Sequence, residues 1–282
     1  MLTSNTAFNA AKADFNDVYD QPDPREYFAA MKRVGYRLPE NVMPSFLRVI
    51  EAVRRVRGGA SLTILDVGCS YGINGALLNY ELTLDDLYGC AEQREGDPGR
   101  EPAEIDRKFF ATRKTPFGHR VHGVDRAAFA IGYATSAGLI DQGAALDLEA
   151  AESPELPAGL ADVDLIISTG CVGYVTVKTF ARLLDANTGR LPWIATSALR
   201  TLDYSSFERF FGERGYVTSS SVRPVKQRAI TSETERAQTL SNLAALGKDP
   251  AGFESEGDLY ADCYVSMPAE EAGSVTREEL FG

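Results

Sequence analysis

Residues 64–75 read ILDVGCSYGING, a short apolar run that leads into a glycine-rich turn. The uncharged run Leu62–Leu65 is typical of a strand that is buried on both faces of a parallel sheet. Gly68 and Gly72 permit the positive φ values of a tight turn and let a ligand approach the main chain closely. We predict that a helix follows from Asn74 to Tyr80, and its first N–H groups are then unpaired beside the turn. Because ligands bind at the carboxyl ends of the strands in open parallel sheets, we expect a binding site here.

Strands and helices alternate along the remainder of the chain, which predicts βαβ units. The predicted strands are Arg120–Val124, Ala144–Leu148, Val163–Ser168, Trp193–Ser197, Tyr216–Val222 and Asp258–Ser266. The predicted helices are Ala127–Gly138, Val177–Ala186, Ser205–Glu213 and Glu233–Ala245. The fold expected from this pattern is a Rossmann-like α/β fold, with a mostly parallel seven-stranded sheet and helices on both faces. The last two strands have no βαβ spacing, so we expect an antiparallel pair at one edge.

Two further helical regions flank the first strand. Helices predicted at Pro24–Val34 and Glu40–Arg57 form an expected N-terminal helical cap, residues 1–59, ahead of a domain of residues 60–282. The polar stretch 82–120 is interpreted as a surface insertion. It contains predicted helices at Leu82–Gln93 and Ala103–Arg113, with a loop at Arg94–Glu101 between them.

Composition restricts the partners of the chain. Its 282 residues carry a formal net charge of −11, which disfavours binding to nucleic acid. The densest basic cluster, residues 54–57, is interpreted as the solvated end of a helix. The four cysteines form no CxxC pair, so we expect neither a metal site nor a disulfide scaffold. Met1–Asn5 lacks the features of a signal peptide, and no apolar run is long enough to span a membrane. A cytoplasmic protein without a membrane partner is therefore expected.

The strand and turn at residues 64–75 resemble motif I of the class I S-adenosylmethionine (SAM)-dependent methyltransferases. That motif is a hydrophobic strand, an acidic residue and then G-x-G-x-G. Asp66 matches the acidic residue, Gly68 and Gly72 match the outer glycines, and Ser70 replaces the middle one. The resemblance implies that SAM is the cofactor and that Gly68, Cys69, Ser70 and Gly72 wrap its methionine and ribose parts.

Two later acidic residues resemble the second and third motifs of the same superfamily. Asp125, followed by Arg126, ends the second predicted strand, where the resemblance implies hydrogen bonds to the ribose hydroxyls of SAM. Capping of the next helix is the alternative role for Asp125. Asp147, followed by Leu148, corresponds to an acid that receives the adenine amino group, although any such loop can carry an aspartate. The insertion at 82–120 explains the long spacing from Gly72 to Asp125.

The fourth predicted strand ends in Thr169 and Gly170, a position that faces the reacting methyl group in this superfamily. Tyr174 is the candidate catalytic residue nearby, because an aromatic ring attracts a sulfonium cation; a packed loop tyrosine is the alternative. Arg200 or Thr201, after the fifth strand, is a second candidate that would hold a bent conformer of SAM. The segment differs from the Asn/Asp-Pro-Pro-Tyr form of base methyltransferases, which agrees with the negative charge in disfavouring nucleic acid substrates.

Two other nucleotide-dependent enzyme classes fit less well. A nicotinamide-binding fingerprint would need glycines at Ser70 and Ile73. Tyr174 and Lys178 have the Tyr-x-x-x-Lys spacing of short-chain dehydrogenases, but they follow the fourth predicted strand instead of the fifth.

Three functions remain open from the sequence. SAM carries its own leaving group, so its reactions need mainly alignment and exclusion of water. The only histidines, His119 and His122, stand at the start of the second predicted strand, away from the expected methyl position. The first function is methyl transfer to a small-molecule metabolite, as in secondary metabolism. The second is intramolecular displacement within SAM that forms azetidine-2-carboxylate and methylthioadenosine. The third is SAM binding without catalysis. Candidates to close a lid over the site are Tyr19, Tyr27 and Tyr36.

Replacing Gly68 by a bulky residue such as leucine is expected to abolish SAM binding, because the side chain would fill the space through which the ligand approaches the backbone. Isothermal titration calorimetry measures the affinity, and circular dichroism checks that the protein remains folded. An unchanged affinity for SAM in the folded variant would contradict the assignment of motif I.

Overall fold

The computed structural model describes residues 18–59, 61–93, 101–152 and 155–282. The N-terminal residues Met1–Asn5 and nearly all of the predicted loop Arg94–Glu101 lie outside these ranges. Within them, no helix combines the length and the apolar character needed to cross a bilayer.

Strands and helices follow one another from the first glycine-rich turn onward. The strands are β1 (Thr63–Val67), β2 (Arg120–Asp125), β3 (Gln142–Ala145), β4 (Leu165–Thr169), β5 (Trp193–Leu199), β6 (Tyr216–Ser220), β7 (Val225–Ala229) and β8 (Asp258–Pro268). The helices are α1 (Arg25–Arg33), α2 (Leu38–Val56), α3 (Ile73–Asn79), α4 (Leu84–Gln93), α5 (Pro102–Ala111), α6 (Ala128–Ser136), α7 (Ala158–Ala161), α8 (Val177–Ala186), α9 (Ser205–Gly212), α10 (Glu233–Ala245), α11 (Ala269–Ala272) and α12 (Arg277–Phe281). A 3₁₀ turn at Glu254–Glu256 precedes β8.

The strands of the described chain form one eight-stranded sheet in the order β3-β2-β1-β4-β5-β8-β6, with β7 also paired to β8. The five strands from β3 to β5 are mutually parallel, and β8 is antiparallel to β5. Both β6 and β7 are antiparallel to β8, so only β8 is reversed. The prediction of a Rossmann-like, mostly parallel sheet is confirmed. The predicted number of seven strands is wrong, because β7 was not anticipated.

Strand β7 lies alongside the first half of β8, while β6 lies alongside the second half. A β-bulge between Lys226 and Arg228 interrupts the pairing of β7 with β8. On its other side, the backbone of β7 bonds to the segment between α1 and α2. The Arg37 N–H donates to the Gln227 carbonyl at 2.8 Å, and the Ala229 N–H donates to the Val34 carbonyl at 2.9 Å. β7 therefore joins the sheet to the N-terminal helices.

Helices cover both faces of the sheet, as the pattern predicted. Helix α2 buries Val42, Phe46 and Val49 against one face in a core that includes Ile64 and Trp193. It begins two residues before its predicted start, since Pro39 is tolerated in the first turn. Helices α8 and α9 cover the other face with a cluster of aromatic and aliphatic side chains: Phe180, Leu183, Leu184, Phe207 and Phe211.

The helices of the 82–120 segment pack against α1 and not only against solvent. Phe28 of α1 shares a buried apolar cluster with Tyr88 of α4 and Phe110 of α5. Tyr71, from the glycine-rich turn, belongs to the same cluster and is fully buried. The cover above the carboxyl end of β1 is thus built jointly by α1 and the insertion.

Strand β3 is displaced from its predicted position. It spans Gln142–Ala145 and not Ala144–Leu148, because the chain turns after Ala145 and the Leu148 side chain packs into the core. The basic cluster at residues 54–57 also differs from its interpretation. Arg54 and Arg55 are at the surface, but the Arg57 side chain is only 5% exposed and pairs with Glu271.

Removing the carboxylate of Glu235 is expected to destabilise the fold strongly. Arg228 and Glu235 form an ion pair whose side chains are 3% and 6% exposed, with an N–O distance of 2.6 Å. Glu235→Ala would leave the guanidinium buried and unpaired, which typically reduces the free energy of unfolding by about 3–5 kcal/mol. Urea unfolding measures this change. Glu51→Ala, in the exposed pair with Arg54, is the control and should leave the midpoint nearly unchanged; equal shifts in the two variants would contradict the prediction.

Candidate active site

The strand order reverses between β1 and β4, and this is the position where open α/β sheets form a binding crevice. Gly68 leaves β1 with φ = 72°, and its N–H donates to the Val124 carbonyl of β2 at 2.8 Å. A Cβ atom on Gly68 would collide with the Cys171 side chain, which follows β4. The two sides of the crevice therefore approach so closely that only glycine fits, and any side chain at position 68 would also be conformationally strained.

Ser70 explains how the turn accommodates the loss of the middle glycine. It adopts φ = 51°, a left-handed conformation that is unfavourable by about 1 kcal/mol for a residue with a Cβ atom. Its N–H donates to the Asp125 carboxylate at 2.9 Å. The same carboxylate accepts from the Ala127 N–H at 3.0 Å and from the Tyr19 hydroxyl at 2.8 Å. Asp125 thus holds the turn and the residue before α6, whereas the N–H groups of Phe129 and Ala130 in the first turn of that helix donate to the Asp20 carboxylate.

Asp66 is fully buried at the end of β1. Its Oδ1 atom accepts a hydrogen bond of 3.0 Å from the Asn74 amide, which also donates to the Thr169 hydroxyl at 3.1 Å. Its Oδ2 atom has no hydrogen-bond partner in the described part of the chain. Burial raises the pKa of Asp66 to about 7; the Asn74 hydrogen bond opposes this rise and the Asp125 charge adds to it. An acceptor held without a donor at the crevice is a group that a ligand can use.

Gly170 directly follows β4 and lies on the opposite wall of the crevice. It has φ = 66°, and a Cβ atom there would lie 3.1 Å from the Tyr36 hydroxyl and 3.6 Å from the Gln227 amide nitrogen. Gln227 is buried, and its Oε1 atom has no partner among the described residues. The sequence reasoning missed Gln227, because β7 has no periodic apolar pattern that would reveal it.

Tyrosines from three segments surround this wall. Burial raises the pKa of Tyr27 to about 12, with smaller contributions from Asp125 and Tyr174. Burial likewise raises the pKa of Tyr36, with contributions that include Cys171 and Tyr174. Both phenols are therefore protonated at neutral pH. Tyr174 itself is 53% exposed, so its ring borders the crevice without being packed into the core.

Thr201 and Arg200 lie beyond β5 and differ in their availability. The Thr201 hydroxyl is buried without a hydrogen-bond partner in the described chain. Arg200 forms a buried ion pair with Glu254 at 2.5 Å and donates to the Asp249 carbonyl at 2.9 Å. Its guanidinium also lies over the Phe253 ring at 4.7 Å. Arg200 therefore has a structural role, and Thr201 is the residue of the two that has an unused hydrogen-bonding group.

The other predicted binding residues occupy the margin of the site. Cys69 is buried, so it contributes through its backbone, and Arg126 is exposed next to Asp125. Asp147 is exposed, and its carboxylate accepts from the Glu149 N–H at 2.9 Å within a turn. Leu148 faces the core. Of this group, Asp147 and Arg126 are the side chains that solvent can reach.

Lys178, from the Tyr-x-x-x-Lys spacing, and the two histidines contact groups outside the crevice. The Lys178 ammonium donates to the carbonyls of Glu149 and Ala150 at 2.7 and 2.6 Å, and so is held by the backbone after β3. His122 lies 2.8 Å from the Gly159 carbonyl, and His119 accepts from the Leu62 N–H at the amino end of β1. In the ranges that the structure describes, no group of three or more His, Cys, Asp or Glu side chains could hold a metal ion.

Comparison with known proteins finds similar structures but no similar family model or curated sequence. No protein-family model matches the chain, and no curated protein matches its sequence. The solved structure of the plantazolicin methyltransferase BpumL in complex with S-adenosylhomocysteine (SAH) is 14% identical in sequence. Its TM-score is 0.45, and the match covers 93% of this chain and 95% of that one. BamL, a plantazolicin methyltransferase in complex with a triazolic desmethylPZN analog and SAH, is 12% identical, with a TM-score of 0.45 over 86% and 89%. Magnesium protoporphyrin IX methyltransferase (ChlM) from Synechocystis PCC 6803 with bound SAM is 10% identical, with a TM-score of 0.37 over 80% and 81%.

The pH dependence of stability is expected to change when Asp66 is replaced by asparagine. The pKa of Asp66 is about 7 in the folded protein against an ordinary 3.8, so the folded state binds this proton more tightly than the unfolded chain. The stabilisation from the protonated Asp66 carboxyl is complete below pH 3.8 and is lost as the pH rises through about 7, a difference on the order of 4 kcal/mol.

The melting temperature of the wild type should therefore fall more between roughly pH 5 and pH 8 than that of Asp66→Asn, which cannot ionise. Asp203→Asn is the control, since the Ser205 N–H lowers the pKa of that carboxyl. If the melting temperature falls by the same amount in the wild type and in Asp66→Asn, the pKa of Asp66 is not raised in the folded protein.

Proposed function

We propose that the protein is a SAM-dependent methyltransferase that acts on a small-molecule metabolite in the cytoplasm. The observation that carries the proposal is the glycine turn at the switch point of the sheet. There Gly68 lets the end of β1 lie against the Cys171 side chain that follows β4, and the Asp125 carboxylate accepts a hydrogen bond from the Ser70 N–H of the same turn. An acid at the end of the strand next to such a turn is the group that binds ribose hydroxyls in nucleotide-binding α/β folds.

The residues at the carboxyl edge fit the parts of SAM. Asp125 would bind the ribose, with Ser70 holding the carboxylate in place through its N–H. The unpartnered Oδ2 atom of Asp66 would accept a hydrogen bond from the methionine part, directly or through water. Asp147, exposed beyond β3, would accept from the adenine amino group. A net charge of −11 agrees with a cationic small molecule as ligand and with the absence of a nucleic acid partner.

The chemistry that this chain can supply is positioning and exclusion of water. Bound SAM provides an electrophilic methyl group on a sulfonium centre. Tyr174 can place its ring or hydroxyl against that cation, an attraction of about 0.5–2 kcal/mol that strengthens as water is excluded. Tyr27 and Tyr36 are protonated at neutral pH, so they can donate or pack but cannot act as bases. The Thr201 hydroxyl, after β5, is buried without a hydrogen-bond partner in the described chain and is therefore a further candidate to contact the ligand.

A small acceptor that is already nucleophilic suits this site best. General-base catalysis is needed only when the attacking group must lose a proton before or during transfer. Within the described residues, the two histidines lie at β2 and at the amino end of β1, outside the crevice. Asp66, whose pKa burial raises to about 7, could take up a proton at neutral pH beside the turn.

A second candidate function is intramolecular displacement within SAM. The cover of α1, α4 and α5, together with the absence of a histidine from the described part of the crevice, favours a reaction that needs no second substrate. The amino nitrogen of SAM would attack its own γ-carbon while the bond from that carbon to sulfur breaks. The products are azetidine-2-carboxylate, methylthioadenosine and a proton, which Asp66 could accept.

Mass spectrometry of the purified protein incubated with SAM tests both candidates. We expect SAM to remain intact without an acceptor, and SAH to appear when small nucleophilic metabolites are added. Methylthioadenosine formed without an acceptor, and lost in Tyr174→Ala, would instead establish the displacement reaction. Val222→Ala, an exposed position between β6 and β7, is the control and should behave as the wild type. A protein that neither binds nor converts SAM would contradict the proposal.

A further inference from the structure

Gln227 is brought to the crevice by an irregularity in β7. Lys226 pairs with Tyr260 and Arg228 pairs with Leu259, so Gln227 is the additional residue of the bulge. Such bulges redirect a side chain relative to the regular alternation of a strand. The Gln227 side chain is directed away from solvent and is only 4% exposed.

The Gln227 carboxamide faces the exit of β4. Its amide nitrogen lies 3.6 Å from the position that a Cβ atom on Gly170 would occupy, and its Oε1 atom is buried without a partner among the described residues. A buried polar group without a hydrogen-bond partner disfavours the folded state. The burial of this oxygen atom beside Gly170 is explained if a bound molecule supplies the missing hydrogen bond.

The position of Gln227 along the sheet edge indicates which part of a ligand it meets. Asp125 is at the end of β2, and the turn with Asp66 and Gly68 follows β1, so a nucleoside bound there points its other end towards β4. Gly170 follows β4, and Gln227 lies against it. The end of the ligand that is remote from the nucleoside is therefore the end that reaches Gln227.

The nearby cations are already committed to other partners. Arg37 pairs with Asp85 and Glu40. Arg228 is held by Glu235, and Arg200 by Glu254. These three guanidinium groups therefore do not compete with an ammonium group for the acceptors in the crevice. Unpartnered oxygen atoms of Gln227, Asp66 and Thr201 are suited to an ammonium group, which is a donor only.

We propose that Gln227 binds the amino-acid end of SAM, accepting a hydrogen bond from its ammonium group across the Gly170 wall. This inference rests on the proposed use of SAM. It assigns to β7 the recognition of the group that distinguishes SAM and SAH from simpler thioether nucleosides.

Calorimetric titration with two probes tests the assignment. SAH carries the amino-acid end, whereas methylthioadenosine has the same nucleoside and sulfur atom without it. Gln227→Met keeps the length of the side chain and removes its hydrogen-bonding atoms. We expect its Kd for SAH to rise about tenfold, the size expected for a lost hydrogen bond to a charged group, with the Kd for methylthioadenosine unchanged.

Gln238→Met is the matched control, because the Gln238 amide donates to Asn242 within α10 and not to the crevice. Both Kd values of this variant should equal those of the wild type. If Gln227→Met does not fold, Gln227→Asn, which withdraws the same carboxamide, should weaken SAH binding selectively. Unchanged SAH binding, or equal weakening of both probes, would overturn the role of Gln227 while leaving the proposed function intact. A wild-type protein that binds neither SAM nor SAH would overturn both.

Discussion

The carboxylate of Asp125 holds together the edge of the sheet on which the site is built. It accepts hydrogen bonds from the Ser70 N–H, the Ala127 N–H and the Tyr19 hydroxyl. These donors belong to the glycine turn, the start of α6 and the segment before α1, so one buried group connects three separate parts of the chain. Charge-assisted hydrogen bonds offset the unfavourable desolvation of a buried carboxylate. They also allow a serine to occupy a left-handed position at Ser70.

The features that the sequence revealed are those encoded within a few consecutive residues. The strand and glycine turn at residues 64–75 were predicted because the apolar run, the glycines and the following helix are contiguous. Asp125 was found for the same reason, as an acid that directly ends a strand. The antiparallel edge formed by β6 and β8 followed from the missing βαβ spacing. Local chemistry was therefore sufficient to predict the layers of the fold, the glycine turn and the acidic residue that ends β2.

The remaining features depend on contacts between distant residues. Strand β7 reads Val-Lys-Gln-Arg-Ala, a polar sequence that pairs only because β8 and the segment after α1 supply partners on both sides. Gln227 could not be identified without that pairing. Arg200 looked available for a ligand, since nothing near it in the sequence shows that Glu254 neutralises it. The limits of β3 were misplaced because Gln142 and Gly143 have little strand propensity of their own.

The double pairing of β7 has a consequence for how the site can open. An unpaired strand edge exposes a row of N–H and carbonyl groups that invites pairing with other protein molecules. The backbone of Val34 and Arg37 occupies that edge. Swinging α1 away as a rigid lid would break these bonds and leave β7 open to aggregation. Residues 18–24, which precede α1, cover the site in a different way: the Tyr19 hydroxyl donates to Asp125, and the Asp20 carboxylate accepts from the first turn of α6. The fold thus assigns protection of the sheet edge to the backbone between α1 and α2, and contact with the Asp125 carboxylate to a side chain that precedes α1.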